Sequence, residues 1–212
     1  MNNRPIFITG IGTGIGKTVV SAIVTEALQA DYWKPVQAGF EDGTDALSIQ
    51  NLISNAVSVI HPEVYKLQMP ASPHIAAQAE NIEIVLDEIV RFKPSTSNKH
   101  LIIEGAGGVI VPLNKNEFVI DLILKLQARV ILVSRNYLGS INHSLLTAEL
   151  CKQKNVDVIG WIFNDQYLDY ESEIVNWSGF QRIATVPLSD TIDKVFVQQQ
   201  ASLIRSSLQQ LS

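Results

Sequence analysis

One glycine-rich segment narrows the possible folds of this chain more than any other part of its sequence. It reads GIGTGIGKT over residues 10–18, after an apolar run at 6–9 and at the start of a segment with helical periodicity at 17–30. Glycines let backbone N–H groups turn toward phosphate oxygens, and the helix N-terminus adds a partial positive charge. The segment therefore predicts a phosphate-binding loop, in which Lys17 reaches the β- and γ-phosphates and the Thr18 hydroxyl binds Mg²⁺.

The loop departs from the usual spacing, which has a glycine where this chain has Ile11, and carries Gly10 and Gly12 instead. Two alternatives are a dinucleotide-binding turn and a glycine turn without a ligand. A dinucleotide fingerprint needs a third glycine, but Ile15 or Lys17 occupies that position. The Gly-Lys-Thr at 16–18, which stands at the end of the loop that follows a strand, favours the phosphate loop over both alternatives.

Apolar periodicity along the rest of the chain predicts alternating strands and helices. The predicted strands are 6–9, 32–36, 101–103, 129–133, 156–163 and 183–186, and the predicted helices are 17–30, 45–54, 82–92, 118–126, 141–154 and 190–211. We expect loops at 56–71 and a surface connection at 93–99. Because the strands are continuous apolar runs, we expect a mostly parallel sheet with helices on both faces, in a single α/β domain over 1–212 of the P-loop NTPase type.

Composition and charge exclude several classes of protein. Apolar residues make up 46% of the chain and charged residues 17%, which excludes intrinsic disorder. The net charge of −5 argues against a nucleic-acid binder or a polybasic membrane-surface protein. The single cysteine, Cys151, excludes a disulfide framework. The chain has no apolar stretch of about 18 residues and no signal-peptide pattern, so we expect a cytoplasmic protein.

Two acidic residues are candidates to hold the magnesium ion that accompanies a nucleoside triphosphate. Glu104 ends the apolar run at 101–103 and is followed by the glycine-rich segment GAGG. Such a strand-end carboxylate is the expected metal ligand, the alternative being an ordinary strand-end acid. Asp45 opens a predicted helix, and it is either a second ligand or an N-cap.

Seven segments together resemble the dethiobiotin synthetase family, in the order in which that family carries them. They are GIGTGIGKT at 10–18, KPVQAG at 34–39, TDA at 44–46, ASPH at 71–74, EGAGG at 104–108, LGSINH at 138–143 and ND at 164–165. The resemblance spans nearly the whole chain, from the first strand to Pro187. It implies a homodimeric P-loop enzyme of biotin synthesis that takes 7,8-diaminopelargonic acid, CO₂ and MgATP. In this family a substrate amine captures CO₂ as a carbamate, ATP converts the carbamate into a mixed anhydride, and the second amine closes the cyclic urea.

The resemblance also implies roles for individual residues. Lys17 and Lys34 would be catalytic, since cations should converge where negative charge develops. Residues implied to bind metal are Thr18, Asp45 and Glu104. Residues implied to bind the nucleotide are Gly14, Ile15, Gly16, Lys17, Thr18, Val19, Asp45, Glu104, Gly105, Ala106, Gly107, Asn164, Asp165, Pro187, Leu188 and Ser189. Residues implied to bind the diamine substrate are Thr13, Lys34, Ala38, Gly107, Ser140 and Asn142, with the start of the helix at 141–154 receiving the substrate carboxylate across the dimer interface.

Several of these assignments have an alternative in ordinary structure. Lys34 could be a surface lysine, the Asn-Asp pair at 164–165 could form a simple turn, and Ser140 or Asn142 could cap a helix. The family often has Thr-Asp-Thr at 11–13, and some members have Glu where this chain has Gly14. At position 38 it often has a substrate-binding hydroxyl where this chain has alanine, which weakens one contact by about 1 kcal/mol.

A regulatory ATPase of the chromosome-partitioning or division-site type is the main alternative function. Such ATPases carry a lysine at the position of Gly12 and often a basic or amphipathic tail, whereas residues 206–212 of this chain have no charge. An amide-forming cobyrinate-type ligase is a third alternative, but this chain is too short to include its glutaminase domain.

Overall fold

A parallel β-sheet forms the centre of the computed structural model, which describes residues 4–96, 100–165 and 168–211. The strands are β1 (Ile6–Gly10), β2 (Asp31–Trp33), β3 (Val36–Ala38), β4 (Ile60–His61), β5 (Tyr65–Leu67), β6 (Leu101–Glu104), β7 (Arg129–Arg135), β8 (Val158–Asn164) and β9 (Arg182–Val186). Seven of them form one sheet in the order β4-β2-β6-β1-β7-β8-β9, and all of its pairings are parallel. The strands β3 and β5 form a small second sheet beside it.

Helices connect the strands and cover both faces of the main sheet. They are α1 (Lys17–Leu28), α2 (Asp45–Leu52), α3 (Pro73–Ala79), α4 (Leu86–Arg91), α5 (Val119–Lys125), α6 (Ser140–Gln153), α7 (Glu171–Ser178) and α8 (Lys194–Leu211). On β1, Phe7 points into a core that it shares with α3 to α7, while Ile6 and Ile8 point into a core that they share with α1, α2 and α8. The predicted fold class is therefore confirmed. In the part of the chain that the structure describes, no helix is long and apolar enough to cross a membrane.

The predicted strand at 32–36 is divided into two strands that belong to different sheets. Trp33 ends β2 and Val36 begins β3, with Lys34 and Pro35 between them. Proline has no N–H to give to a strand ladder. The Pro35 carbonyl instead accepts hydrogen bonds from the N–H groups of residues 64 and 65, at 2.9 and 3.0 Å. Because of this break, Lys34 lies directly after the last residue of β2 and outside both sheets.

Other boundaries also differ from the predictions. The region at 56–71 contains the short strands β4 and β5, and α7 lies in a stretch for which we predicted no element. The helix predicted at 82–92 is shorter in the structure, where α4 spans Leu86–Arg91. The helix predicted from 190 begins at Lys194. Residues 93–96 have no regular structure, as expected, and 97–99 lie outside the described residues.

A buried carboxylate fixes the end of α2 against α1. Glu26 accepts hydrogen bonds from the backbone N–H groups of Ser54 and Asn55, at 2.9 and 3.1 Å, and from their side chains, at 2.7 and 2.8 Å. Burial raises the pKa of Glu26, but these hydrogen bonds outweigh burial, so the pKa lies below its ordinary value of 4.5. The ionised form of Glu26 therefore stabilises the fold.

We expect Glu26→Gln to lower the free energy of unfolding by about 2 kcal/mol near neutral pH, because its amide N–H₂ faces donors. A depressed pKa gives stabilisation that is present above pH 4.5 and is lost as the pH falls through the folded-state value. The difference between variant and wild type should therefore shrink under acid conditions. Urea unfolding near neutral pH and at an acid pH measures this difference in the free energy of unfolding. The control is Glu149→Gln, which changes a carboxylate on an exposed helix surface. An equal difference at both pH values would contradict the assignment.

Candidate active site

The phosphate-binding loop joins β1 to α1 in a conformation that requires glycine. Gly14 and Gly16 have φ angles of +72° and +88°, which favour glycine over other residues. A Cβ at Gly16 would lie 1.7 Å from the Asn164 side-chain nitrogen. That amide donates a hydrogen bond of 3.0 Å to the Ile15 carbonyl, so the end of β8 packs against the back of the loop.

Lys17, the first residue of α1, is buried beneath the loop. Its ammonium donates a hydrogen bond of 2.7 Å to the Gly12 carbonyl. Burial lowers the pKa of Lys17 to about 8; the Glu104 and Asp45 carboxylates raise it, and the Lys34 ammonium lowers it further. The loop thus places a cation among backbone groups at the entrance to the helix.

Two carboxylates converge on the Thr18 hydroxyl. The Thr18 oxygen lies 3.0 Å from Asp45 Oδ1 and 2.9 Å from Glu104 Oε1. Asp45 does not serve as the helix N-cap, because the side chain of Thr44 accepts the capping hydrogen bond from Leu47 N. Its carboxylate faces the loop instead, so the N-cap alternative is wrong, and the role of Asp45 as a metal ligand stays a prediction.

Lys34 lies between the same two carboxylates. Its ammonium forms ion pairs with Asp45 Oδ2 and with Glu104 Oε1, the latter at 3.1 Å. Burial lowers the pKa of Lys34 more than any other single cause, but the two carboxylates together outweigh it, so the pKa lies above its usual value of 10.5. Lys34 is 5% exposed and so is not a surface lysine.

Tyr32 is a contact of this cluster that the sequence analysis missed. Its hydroxyl donates a hydrogen bond of 2.9 Å to Glu104 Oε2, and both side chains are buried. Burial, and after it the Glu104 charge, holds the pKa of Tyr32 well above its usual range, so the phenol keeps its proton. In the sequence Tyr32 is an aromatic residue in a predicted strand, and this pattern predicts a side chain packed in the hydrophobic core and no role in a site.

A cavity of about 780 Å³ opens beside this cluster. Among the predicted residues it is lined by Thr13, Gly14, Gly16, Lys17, Thr18, Lys34, Ala38, Asp45, Glu104, Ala106 and Gly107. Its other walls come from β3, the segment 70–73 and Val111, and they are largely apolar. One end of the cavity is thus cationic and hydrogen-bonding, while the other suits an aliphatic chain.

The oxygen atoms at this end fit magnesium by their chemistry. Thr18, Asp45 and Glu104 offer a hydroxyl and two carboxylates, and Mg²⁺ is usually held by one or two carboxylates with phosphate and water oxygens. Among the residues described, no group of three or more His, Cys, Asp or Glu side chains could hold a metal by itself. A metal here would therefore depend on nucleotide oxygens as well.

The residues predicted to border the nucleotide base lie outside the cavity lining. Asp165 has a φ angle of +70° and so adopts a turn conformation. Its carboxylate pairs with Arg135 at 2.9 Å, and Arg135 also approaches the Gly14 carbonyl at 3.4 Å. Arg135 had no signal in the sequence, because its contacts join three separate segments. Leu188 is 71% exposed, next to the end of β9.

The start of α6 also lies outside this cavity. Gly139 is the N-cap and no side chain caps the helix, so neither Ser140 nor Asn142 caps it. Ser140 is buried, and its hydroxyl lies 2.7 Å from the Tyr170 hydroxyl. Asn142 is exposed. None of the residues that line the cavity belongs to this helix start.

Comparisons with known proteins show which proteins this chain is similar to. A family model described as an AAA domain matches residues 4–195. An ATP-dependent dethiobiotin synthetase of Cytophaga hutchinsonii is 51% identical over 196 residues, which cover 92% of this chain and 93% of the relative. Another, of Christiangramia forsetii, is 45% identical over 206 residues, covering 97% and 98%. A third, of Rhodopseudomonas palustris, is 40% identical and covers 89% and 88%.

Solved structures of similar fold include cell-division and partition ATPases. The cell division ATPase MinD of Pyrococcus furiosus has a TM-score of 0.63 at 11% identity, covering 99% of this chain and 100% of that one. A chain of the MinC:MinD cell division protein complex of Aquifex aeolicus has a TM-score of 0.60 at 14% identity, covering 98% and 95%. At such low identity the likeness shows the fold alone.

Proposed function

The chain belongs to the family of ATP-dependent dethiobiotin synthetases, and from this membership we propose how its cavity works. The enzyme is an ATP-dependent ligase that converts 7,8-diaminopelargonic acid and CO₂ into the cyclic urea dethiobiotin. One observation supports placing this reaction in the cavity: Lys17, Lys34, Thr18 and the two carboxylates converge at the phosphate loop, beside an apolar wall.

The first chemical step joins an amine of the substrate to CO₂. A C–N bond forms between the amine nitrogen and the carbon of CO₂, the amine releases a proton to solvent, and a carbamate anion results. The Lys34 ammonium, held at the edge of the cavity by two carboxylates, would bind this anion. Because the pKa of Lys34 is raised, the side chain keeps its positive charge for this role.

The second step transfers the terminal phosphoryl group of ATP to a carbamate oxygen, which gives a carbamic-phosphoric anhydride and ADP. Negative charge grows on the phosphoryl oxygens during this transfer. The Lys17 ammonium and the backbone N–H groups of residues 13–18 would stabilise that charge. Finally the nitrogen of the second amine attacks the carbonyl carbon and a C–N bond forms. The C–O bond between that carbon and the phosphate oxygen breaks, phosphate leaves, and the amine releases a proton to solvent as the ring closes.

We propose that Thr18, Asp45 and Glu104 hold a magnesium ion with the nucleotide. When bound there, the ion would supply positive charge to the phosphate oxygens of ATP. The support is the donor set, which consists of hard oxygen atoms only.

The nucleotide base and the dimer are further parts of the proposal. Asn164, Asp165 and the segment 187–189 would border the base, since Asn164 donates a hydrogen bond to the loop at Ile15 and the segment 187–189 follows β9, the neighbour of β8. Two copies would pair through the start of α6, where Leu138 is 90% exposed. Pairing would bring Asn142 of one copy to the cavity of the other. We also propose that the enzyme works in the cytoplasm.

A coupling assay tests the proposed function against a regulatory ATPase of the partitioning type, which releases phosphate without making a ligated product. We expect phosphate release from MgATP only when diaminopelargonate and bicarbonate are both present, with one dethiobiotin formed per phosphate. Omitting each substrate in turn is the control. Full phosphate release without either substrate would refute the ligase.

A further inference from the structure

The two oxygens of the Glu104 carboxylate have separate partners. Oε1 faces the Thr18 hydroxyl at 2.9 Å and the Lys34 ammonium at 3.1 Å, while Oε2 accepts a hydrogen bond of 2.9 Å from the Tyr32 hydroxyl. We propose that Tyr32 is a positioning residue, which holds Glu104 by Oε2 so that Oε1 stays directed at the nucleotide and its metal. The inference rests on the proposed function and names a residue that would act through Glu104 without touching the substrate.

The sheet register is what brings the two side chains together. In the parallel pairing of β2 with β6, Tyr32 lies opposite Ile102, and Glu104 is two residues further along β6. Residues two apart on a strand share a face, so Glu104 projects from the side on which Tyr32 and Ile102 pack. Since both partners stand on central strands rather than on loops, the hydrogen bond is held by the main sheet.

Burial makes this single contact important for the direction of the carboxylate. Tyr32 is 0% exposed and Glu104 is 1% exposed, so bulk water does not replace the phenol as a donor to Oε2. A buried carboxylate oxygen without a donor is unfavourable, and the group would turn toward the donors that remain. Thr18 and Lys34 are those donors, and both lie on the Oε1 side. Loss of the phenol hydroxyl should therefore misdirect Glu104 within an otherwise intact cavity.

The test compares the binding of ADP to wild type and to Tyr32→Phe by calorimetry, with excess MgCl₂ and separately with EDTA. Outer-shell hydrogen bonds to metal ligands typically change metal affinity by about 10- to 100-fold. We expect the strengthening of ADP binding by Mg²⁺ to fall by about tenfold or more in the variant, while ADP binding in EDTA stays within about twofold of wild type. The control is Tyr65→Phe, which removes a phenol that bonds Val85 N outside the cavity.

Combination with Glu104→Gln separates positioning from packing. If Tyr32 acts through Glu104, Tyr32→Phe should have no further effect on Mg²⁺-linked binding in the Glu104→Gln background. If Tyr32→Phe alone fails to fold while the double variant folds, the phenol hydroxyl is needed only when Glu104 is charged. That result would also support the proposal. A double variant that also fails to fold, or an equal loss in both backgrounds, would assign Tyr32 to core packing and overturn the proposal.

The outcomes distinguish this inference from the proposed function. Wild-type protein that binds MgADP and makes dethiobiotin, next to a Tyr32→Phe variant with unchanged Mg²⁺-linked binding, would overturn the role of Tyr32 alone. Wild-type protein that binds ADP in neither condition would overturn the proposed function, and the inference with it.

Discussion

Replacement of Lys17 by alanine should lower ATP turnover by at least about 100-fold. Removing one preorganised charge or donor from the developing transition state typically costs about 100- to 1000-fold in rate. Lys17 lies at the first turn of α1, with its ammonium 2.7 Å from the Gly12 carbonyl. We therefore propose that it is the cation that contacts the phosphates of ATP from the loop. Steady-state release of phosphate, with both substrates present, measures the loss.

A second variant separates the charge of Lys17 from its packing. Lys17 is 7% exposed, so alanine also leaves a cavity, whereas Lys17→Met keeps most of the side-chain volume. We expect Lys17→Met to fold with near wild-type thermal stability and still to lose turnover. Lys115→Ala, an exposed lysine, is the control. A Lys17→Met protein with turnover within about threefold of wild type would contradict the electrostatic role.

Local patterns in the sequence predicted those parts of the site that short segments determine. The loop at 10–18 follows a strand and opens a helix, and both flanking elements are visible from periodicity alone. The position of Glu104 beside the loop was predictable for the same reason, because the carboxyl ends of the parallel strands β1 and β6 lie at the same edge of the sheet. The hydrophobic pattern was also sufficient for the fold class.

Contacts across the sheet were beyond what the sequence could predict. The bond between Tyr32 and Glu104 depends on the register of β2 with β6, and the bridge by Arg135 depends on β7 lying beside β8. Neither register has a local signal. The division of β2 from β3 has one, Pro35, but the apolar run around it favours a continuous strand. The helix α7 was missed because it has only eight residues, which is shorter than the window in which an apolar period identifies a helix.

Replacement of Lys34 should suppress dethiobiotin formation by at least about 100-fold while the protein still binds ADP. The ammonium lies 3.1 Å from Glu104 Oε1, in the cluster beside the loop, where we propose that the carbamate forms. The loop, Lys17 and Thr18 remain in place, so nucleotide binding should change little. Product formation by mass spectrometry and ADP binding by calorimetry measure the two effects separately.

The ion pairs of Lys34 decide which substitution gives an interpretable result. Lys34→Ala leaves the buried Glu104 and the partly buried Asp45 without their shared cation, and breaking a buried pair costs about 3 kcal/mol or more. We therefore expect Lys34→Ala to lower both product formation and thermal stability. In the double variant Lys34→Ala with Asp45→Asn, stability should partly recover because one unpaired charge is removed, whereas product formation should not. Lys66→Ala, on the exposed surface of β5, is the control. Unchanged product formation in a folded Lys34→Ala protein would refute the catalytic role, and recovery of product formation together with stability would reduce Lys34 to a structural counter-ion.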